Sequence, residues 1–385
     1  MTIDERLANT HFPLPAIREV NMAKHATGIS LGLGELKDFD VDSLVIKALT
    51  ENLNNLGFSY THNAGLPELR EAIATNFTLK SKFTYSENNV VITIGVQNAL
   101  YSVLKTLSKL GAKRVLIPEI HFGIYKKIPA EFGLEIKSYT LNADFGINIE
   151  KLANDLNNDD IVILNSPSNP TGRVLSDAEQ SDLGTLFREK LNEGYVISDE
   201  IYGELVYEGD KPQTFINYFS RTIVLNGVSK SGAAAGLRVG WAITQNEYLA
   251  KAFVSNNATI ISSPPTVNQY AALPIVLKQT QNTIAAYNQQ LKKNCNYVSN
   301  ILTELGIPFV KPRGSFYIFP DLKEFIGENT KDFCIATAKS ENGVVVIPGT
   351  AFGAPTHIRI SLATNQIEEG MNRLKRFLLL SRKSG

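Results

Sequence analysis

Five short apolar runs, each cut off abruptly by polar residues or by Gly and Pro, constrain this chain more than any other feature. They are NVVITI (89–94), RVLIP (114–118), DIVILN (160–165), YVISD (195–199) and TIVLNG (222–227). Each is long enough for one strand. Each is apolar nearly throughout rather than alternating, as expected of a strand covered on both faces. After the first run, Ala99, Leu100, Val103, Leu104, Leu107 and Leu110 recur at helical spacing. Buried strands alternating with helices predict an α/β fold, in which a large domain has a mostly parallel sheet covered by helices. Past about residue 280 the pattern changes. A long amphipathic stretch (282–305) precedes the strand-like FYIFP (316–320), VVVIP (344–348) and HIRISLA (357–363), and then a last helix. This reads as a smaller α+β domain. The first residues are interrupted by Pro13 and Pro15 and read as an arm. A chain of 385 residues exceeds one ordinary core. The expected organisation is an arm at 1–35 packing with the small domain, a large ligand-binding domain at 36–280 and the small domain at 281–385.

Composition narrows the partners. Lys plus Arg and Asp plus Glu number 38 each. That balance gives no field to attract nucleic acid or an anionic membrane. The opening MTIDERLANTHFPLPAI holds no apolar segment of a secretory signal, and no run approaches the ~18 apolar residues of a membrane span. The expected location is the cytoplasm. Cys295 and Cys334 form no CxxC, and their spacing suggests neither a metal cluster nor a disulfide framework. They read as two buried thiols. His25, His62 and His357 suggest no metal site by spacing, so none is expected.

In open parallel sheets ligands bind beyond the carboxyl ends of the strands. There the chain offers Gly95-Val96-Gln97 opening a helix, then Ser166-Pro167-Ser168-Asn169-Pro170-Thr171-Gly172. Asp199-Glu200-Ile201-Tyr202 and Val228-Ser229-Lys230-Ser231 follow the last two runs. Pyridoxal phosphate needs such a set: a lysine for its aldehyde, a carboxylate for its pyridinium nitrogen and a phosphate cradle. Lys230 is the candidate lysine and Asp199 the candidate carboxylate. Tyr202 and Asn169 can donate to the ring oxygen. Arg238 can grip a phosphate bidentately, and the helix start at Gly95, Val96 and Gln97 offers backbone N–H groups to the same anion.

The segments SPSNPTG, SDEIYGE and VSKSGAAAGLRVGW, in this order, resemble the signature of class I/II aminotransferases, the fold-type I pyridoxal-phosphate enzymes. The likeness runs from about Gly34 to Arg359. It implies Lys230 as the Schiff-base lysine and then the proton carrier, Asp199 on the ring nitrogen, and Asn169 and Tyr202 on the ring oxygen. Ser229, Arg238 and the Gly95–Gln97 turn would hold the phosphate. Tyr60, in YTHNAGLPELR, matches the tyrosine that reaches the phosphate of a neighbouring subunit, so the resemblance also implies a homodimer with shared sites. Arg359 matches the arginine that clamps the substrate carboxylate, and strand alternation turns it away from Ile358 and Ile360. An aromatic over the ring is expected from Pro118-Glu119-Ile120-His121-Phe122-Gly123-Ile124-Tyr125. Counting back from Gly133 favours Phe122, with His121 the rival and Tyr125 lining the substrate side. The stretch Gly34-Glu35-Leu36-Lys37-Asp38-Phe39 departs from the family's Gly-x-Pro-Asp-Phe, so the substrate entrance beside Gly34 differs. No Lys or Arg lies between Lys251 and Lys278, around SSPPTVNQ, which favours an amino acid with a neutral side chain. Phe12, Leu14 and Ile17 either line an apolar pocket or anchor the arm. The expected activity is transfer of an amino group between an L-amino acid and a 2-oxo acid. The same cofactor chemistry also serves a C–S lyase or another β/γ-eliminating or cyclising enzyme.

Overall fold

The computed structural model describes residue 3, residues 15–55 and residues 59–382. In chain order the strands begin with β1 (Ile29–Ser30), β2 (Val90–Thr93), β3 (Arg114–Pro118), β4 (Glu135–Tyr139), β5 (Ile161–Asn165) and β6 (Tyr195–Asp199). They continue with β7 (Thr222–Gly227), β8 (Gly240–Thr244), β9 (Tyr317–Ile318), β10 (Val344–Val345), β11 (Ile347–Pro348) and β12 (Ile358–Ser361). All five apolar runs are strands of one seven-stranded sheet of order β2-β8-β7-β6-β5-β3-β4. Only β8 runs antiparallel to its neighbours.

The runs are apolar throughout because both faces of this sheet are covered. Val91, Ile163, Ile197 and Ile223 pack on one face against Ala99, Leu100, Val103 and Leu104 of the helix Gly95–Lys109. Val162, Leu164 and Val196 pack on the other, against Leu183 and Phe187 of the helix Asp177–Lys190. A buried ion pair fixes the start of the sheet. Arg114 donates to both oxygens of Asp160, at 2.8 and 2.6 Å, and Asp160 is 1% exposed.

The C-terminal residues build a smaller α+β unit on the antiparallel sheet β11-β12-β9 and the long helix Gln281–Glu304. The arm joins it, because β1 pairs in parallel with β10. Ile17 packs against the same core, whereas Phe12 and Leu14 lie outside the described residues. Among the described residues no helix is long and apolar enough to cross a membrane.

One close approach sets up the carboxyl edge of the large sheet. Gly240 pairs with Thr93 on one side and Gly227 on the other. A Cβ there would lie 2.7 Å from the carbonyl carbon of Gly95 and 2.8 Å from the nitrogen of Val96. Glycine at this position therefore lets the helix start at Gly95 lie against the first residue of β8. Replacing Gly240 with Ala forces the turn outward and is expected to destabilise the protein by about 1–3 kcal/mol, measured by urea unfolding. Gly236 faces open space, so Gly236→Ala should stay within about 0.5 kcal/mol of the parent.

Candidate active site

Strand β7 ends at Gly227 and passes at once into a helical turn, Val228–Ser231, that carries Lys230. The half-buried amine donates to the backbone oxygen of Gly34. It lies 5.9 Å from the ring centre of Tyr202 and 5.6 Å from that of Phe316. Its pKa is lowered to about 8, chiefly because burial disfavours the ammonium. Arg359 and Arg238 push in the same direction, while Glu35 and Asp199 oppose them. Lys230 thus sits among cations and holds its proton loosely.

The carboxylate of Asp199, at the end of β6, is 4% exposed. The Tyr125 hydroxyl donates to it at 2.7 Å and the Ile201 N–H at 3.2 Å. Burial raises its pKa to about 6 in spite of those two bonds. Tyr125, expected on the substrate side, is 1% exposed and its hydroxyl braces the Asp199 carboxylate. Asn165, which sequence reasoning passed over, ties two strand ends together. It donates to the Asp199 carbonyl at 3.0 Å and accepts the Asn169 N–H at 2.8 Å.

Arg359 enters from β12 and is 2% exposed. It donates to the side-chain oxygen of Asn169 and to the backbone oxygen of Gly32, both at 3.0 Å. Its guanidinium lies 4.2 Å from the ring centre of Tyr317 and 4.9 Å from that of Phe352. Its Nε is buried without a partner. The Tyr202 hydroxyl, also buried, lies 3.2 Å from that of Tyr317. Tyr317 is the second residue the sequence reading missed. Its only local signal is a tyrosine inside an otherwise apolar strand.

The first turn of Gly95–Lys109 presents leading N–H groups that have no intrahelical acceptor. Gly95 takes a φ of +74°, and a Cβ there would lie 2.6 Å from an Arg238 terminal nitrogen. The Arg238 guanidinium therefore sits directly over the backbone at Gly95, with Val96 and Gln97 following. It is anchored by a 3.0 Å bond to the Ala235 oxygen. Ser229 is buried beside Lys230. Phe122 packs edge-on against Tyr125 with ring centres 6.3 Å apart. The ring of His121 turns back to the Glu119 carbonyl at 3.3 Å. Tyr60 stands apart from the buried cluster, with 86% of its surface exposed.

The sequence model of "Aminotransferase class I and II" matches residues 26–375. The chain is 32% identical to an aspartate aminotransferase of Bacillus sp. (strain YM-2), over 91% of each protein. It is also 32% identical to a probable N-acetyl-LL-diaminopimelate aminotransferase of Bacillus subtilis, over 94% of this chain and 92% of the relative. Its fold superimposes on the crystal structure of an aromatic aminotransferase from Pyrococcus horikoshii OT3 with a TM-score of 0.85 at 29% identity, covering 95% of this chain and 99% of the other. With a family match across most of its length and relatives of this identity and coverage, the chain belongs to the class I and II aminotransferases, which are pyridoxal-phosphate-dependent enzymes.

Proposed function

We propose that this aminotransferase moves an amino group between an L-amino acid with a neutral side chain and a 2-oxo acid, with Lys230 as both the attachment point of the cofactor and the carrier of the α-proton. The observation that carries this reading is the setting of the Lys230 amine. It is a half-buried lysine at a strand end, its pKa lowered to about 8, among Asp199, Arg238 and Arg359.

The residues fit pyridoxal phosphate on their own chemistry. Asp199 is a buried carboxylate bonded only to neutral donors, which suits a protonated ring nitrogen. Gly95 leaves room for the Arg238 guanidinium at a helix start, which suits a phosphate. When bound there, the cofactor supplies an aldehyde for the amino group and a ring that takes up the electron pair left by the departing α-proton. Asp199 would hold the ring proton, with Tyr125 fixing the carboxylate. Asn169 and Tyr202 would donate to the ring oxygen, Ser229 and the turn Gly95–Gln97 would help Arg238 hold the phosphate, and Phe122 would cover the ring face. Arg359 would bind the substrate carboxylate, beside Gly34 at the entrance. A lysine that holds its proton loosely can accept one from the α-carbon and return it to the other side of the reacting system.

Two observations support a neutral side chain. The stretch from 252 to 277 contains no Lys or Arg to meet a second carboxylate. Glu35 is close enough to Lys230 to raise its pKa, and so sets a negative charge near the reaction centre, against a side-chain acid. We read Tyr60, largely exposed, as reaching the phosphate site of a second copy in a homodimer. Two buried free thiols, Cys295 and Cys334, suit a cytoplasmic enzyme.

The purified enzyme supplied with pyridoxal phosphate should show a visible absorption band. With an amino acid alone it should release one equivalent of 2-oxo acid and stop until a 2-oxo acid acceptor is added. Lys230→Ala should lack the band and lose at least about 10²–10⁴-fold in rate. Continuous release of ammonia by wild type would instead identify an eliminating enzyme, and unchanged turnover in Lys230→Ala would sink the assignment. A panel of donors with 2-oxoglutarate should favour neutral side chains over aspartate.

Asp199 gives a second test. Its folded pKa is raised, from 3.8 to about 6, so the native state prefers the protonated form. The resulting destabilisation is absent below about pH 4 and complete above about pH 6. In the cofactor-free protein, Asp199→Asn should therefore add on the order of 1–3 kcal/mol of stability at pH 7 and almost none near pH 4. The same change should weaken cofactor binding. Thermal unfolding across that range checks the first outcome, and equilibrium titration with pyridoxal phosphate the second.

A further inference from the structure

Tyr317 belongs to β9 of the smaller unit, yet it touches groups on both sides of the active site. Its hydroxyl lies 3.2 Å from that of Tyr202, and the face of its ring lies 4.2 Å beneath the Arg359 guanidinium. It is 1% exposed, so water does not compete for either contact. A phenol has one proton to donate and lone pairs to accept with. In a pair of hydroxyls, therefore, only one member can keep its proton free for a third group.

We infer that Tyr317 is a positioning residue that donates its proton to the Tyr202 oxygen, leaving the Tyr202 proton to point at the oxygen of the cofactor ring. The cation over its ring makes Tyr317 the readier donor of the two. Burial raises both phenols and Arg359 works against that rise in each, but the bond between them works against it in Tyr317 and adds to it in Tyr202. A hydroxyl that accepts a bond also donates more strongly, because the two bonds polarise one another. The two parts of the side chain thus have separate tasks. The ring supports Arg359, and the hydroxyl orients Tyr202.

The inference rests on the proposed roles of Lys230 and Tyr202, and a double-mutant comparison separates the two. Each variant is loaded with pyridoxal phosphate and its visible band is titrated with pH. A donor on the ring oxygen draws charge from it and makes the chromophore's proton easier to lose, so Tyr202→Phe should raise the midpoint. Tyr317→Phe, which keeps the ring and nearly the same shape, should raise it in the same direction by about 0.5 pH unit, threefold in proton affinity. Adding Tyr317→Phe to Tyr202→Phe should move the midpoint no further. Tyr317→Leu, which removes the ring, should in addition raise KM for the amino acid by weakening support for Arg359. A midpoint unmoved in Tyr317→Phe, or moved equally in the Tyr202→Phe background, overturns the relay while leaving the role of Lys230 intact. Wild type without a band overturns both.

Discussion

A carboxylate buried at the end of a β-strand, with no cation bonded to it among the described residues, is the constraint on which this site depends. Asp199 is held by a phenol and a backbone N–H, both neutral donors that orient it without cancelling its charge. Burial pushes its pKa up because the surroundings do not solvate the anion. An arrangement of this kind costs stability unless something positive is bound against it. That cost is the setting in which so much nearby structure is devoted to one side chain. Tyr125 fixes one carboxylate oxygen, and Asn165 fixes the strand end and passes the register on to Asn169.

The remaining charges tell the same story with the opposite sign. Arg359 and Arg238 add to the burial that lowers Lys230, with Glu35 and Asp199 as the opposing negative groups. In the proposed function this positive surplus would meet two anions, a phosphate at the Gly95 turn and a carboxylate at Arg359. Arg359 reaches across from the smaller unit to Asn169 on the larger one. A single buried side chain therefore joins the two units. Its Nε is buried without a hydrogen-bond partner.

Much of this was legible in the sequence, for a physical reason. Parallel strands buried on both faces must be apolar, so the runs ending at Asn165, Asp199 and Gly227 announce themselves, and their first polar residues fall where ligands bind. Lys230, Asp199 and Asn169 are visible in that way, and Arg359 by strand alternation. The roles of Tyr125 and Tyr317 are not. Tyr125 opens a helix after β3, and nothing local says that its hydroxyl meets a carboxylate 74 residues away. Tyr317 meets Tyr202 across 115 residues, between two units whose relative placement no local pattern encodes. Gly240 was equally silent, because a close approach between backbones leaves no periodic trace.

The pattern of what was hidden follows from how the site is layered. Groups that touch a ligand must stand at strand ends, and chain topology delivers them there. Groups that set the charge and direction of those first groups only need to be buried nearby, on whatever element packs against them. Tyr125 acts on Asp199 and Tyr317 acts on Tyr202 from different elements, each through one hydroxyl in a water-poor setting where a hydrogen bond is electrostatically stronger than in solvent. Two phenols with no charge of their own can therefore act on Asp199 and on Tyr202. Each can be altered by removing a single oxygen while the packing stays in place.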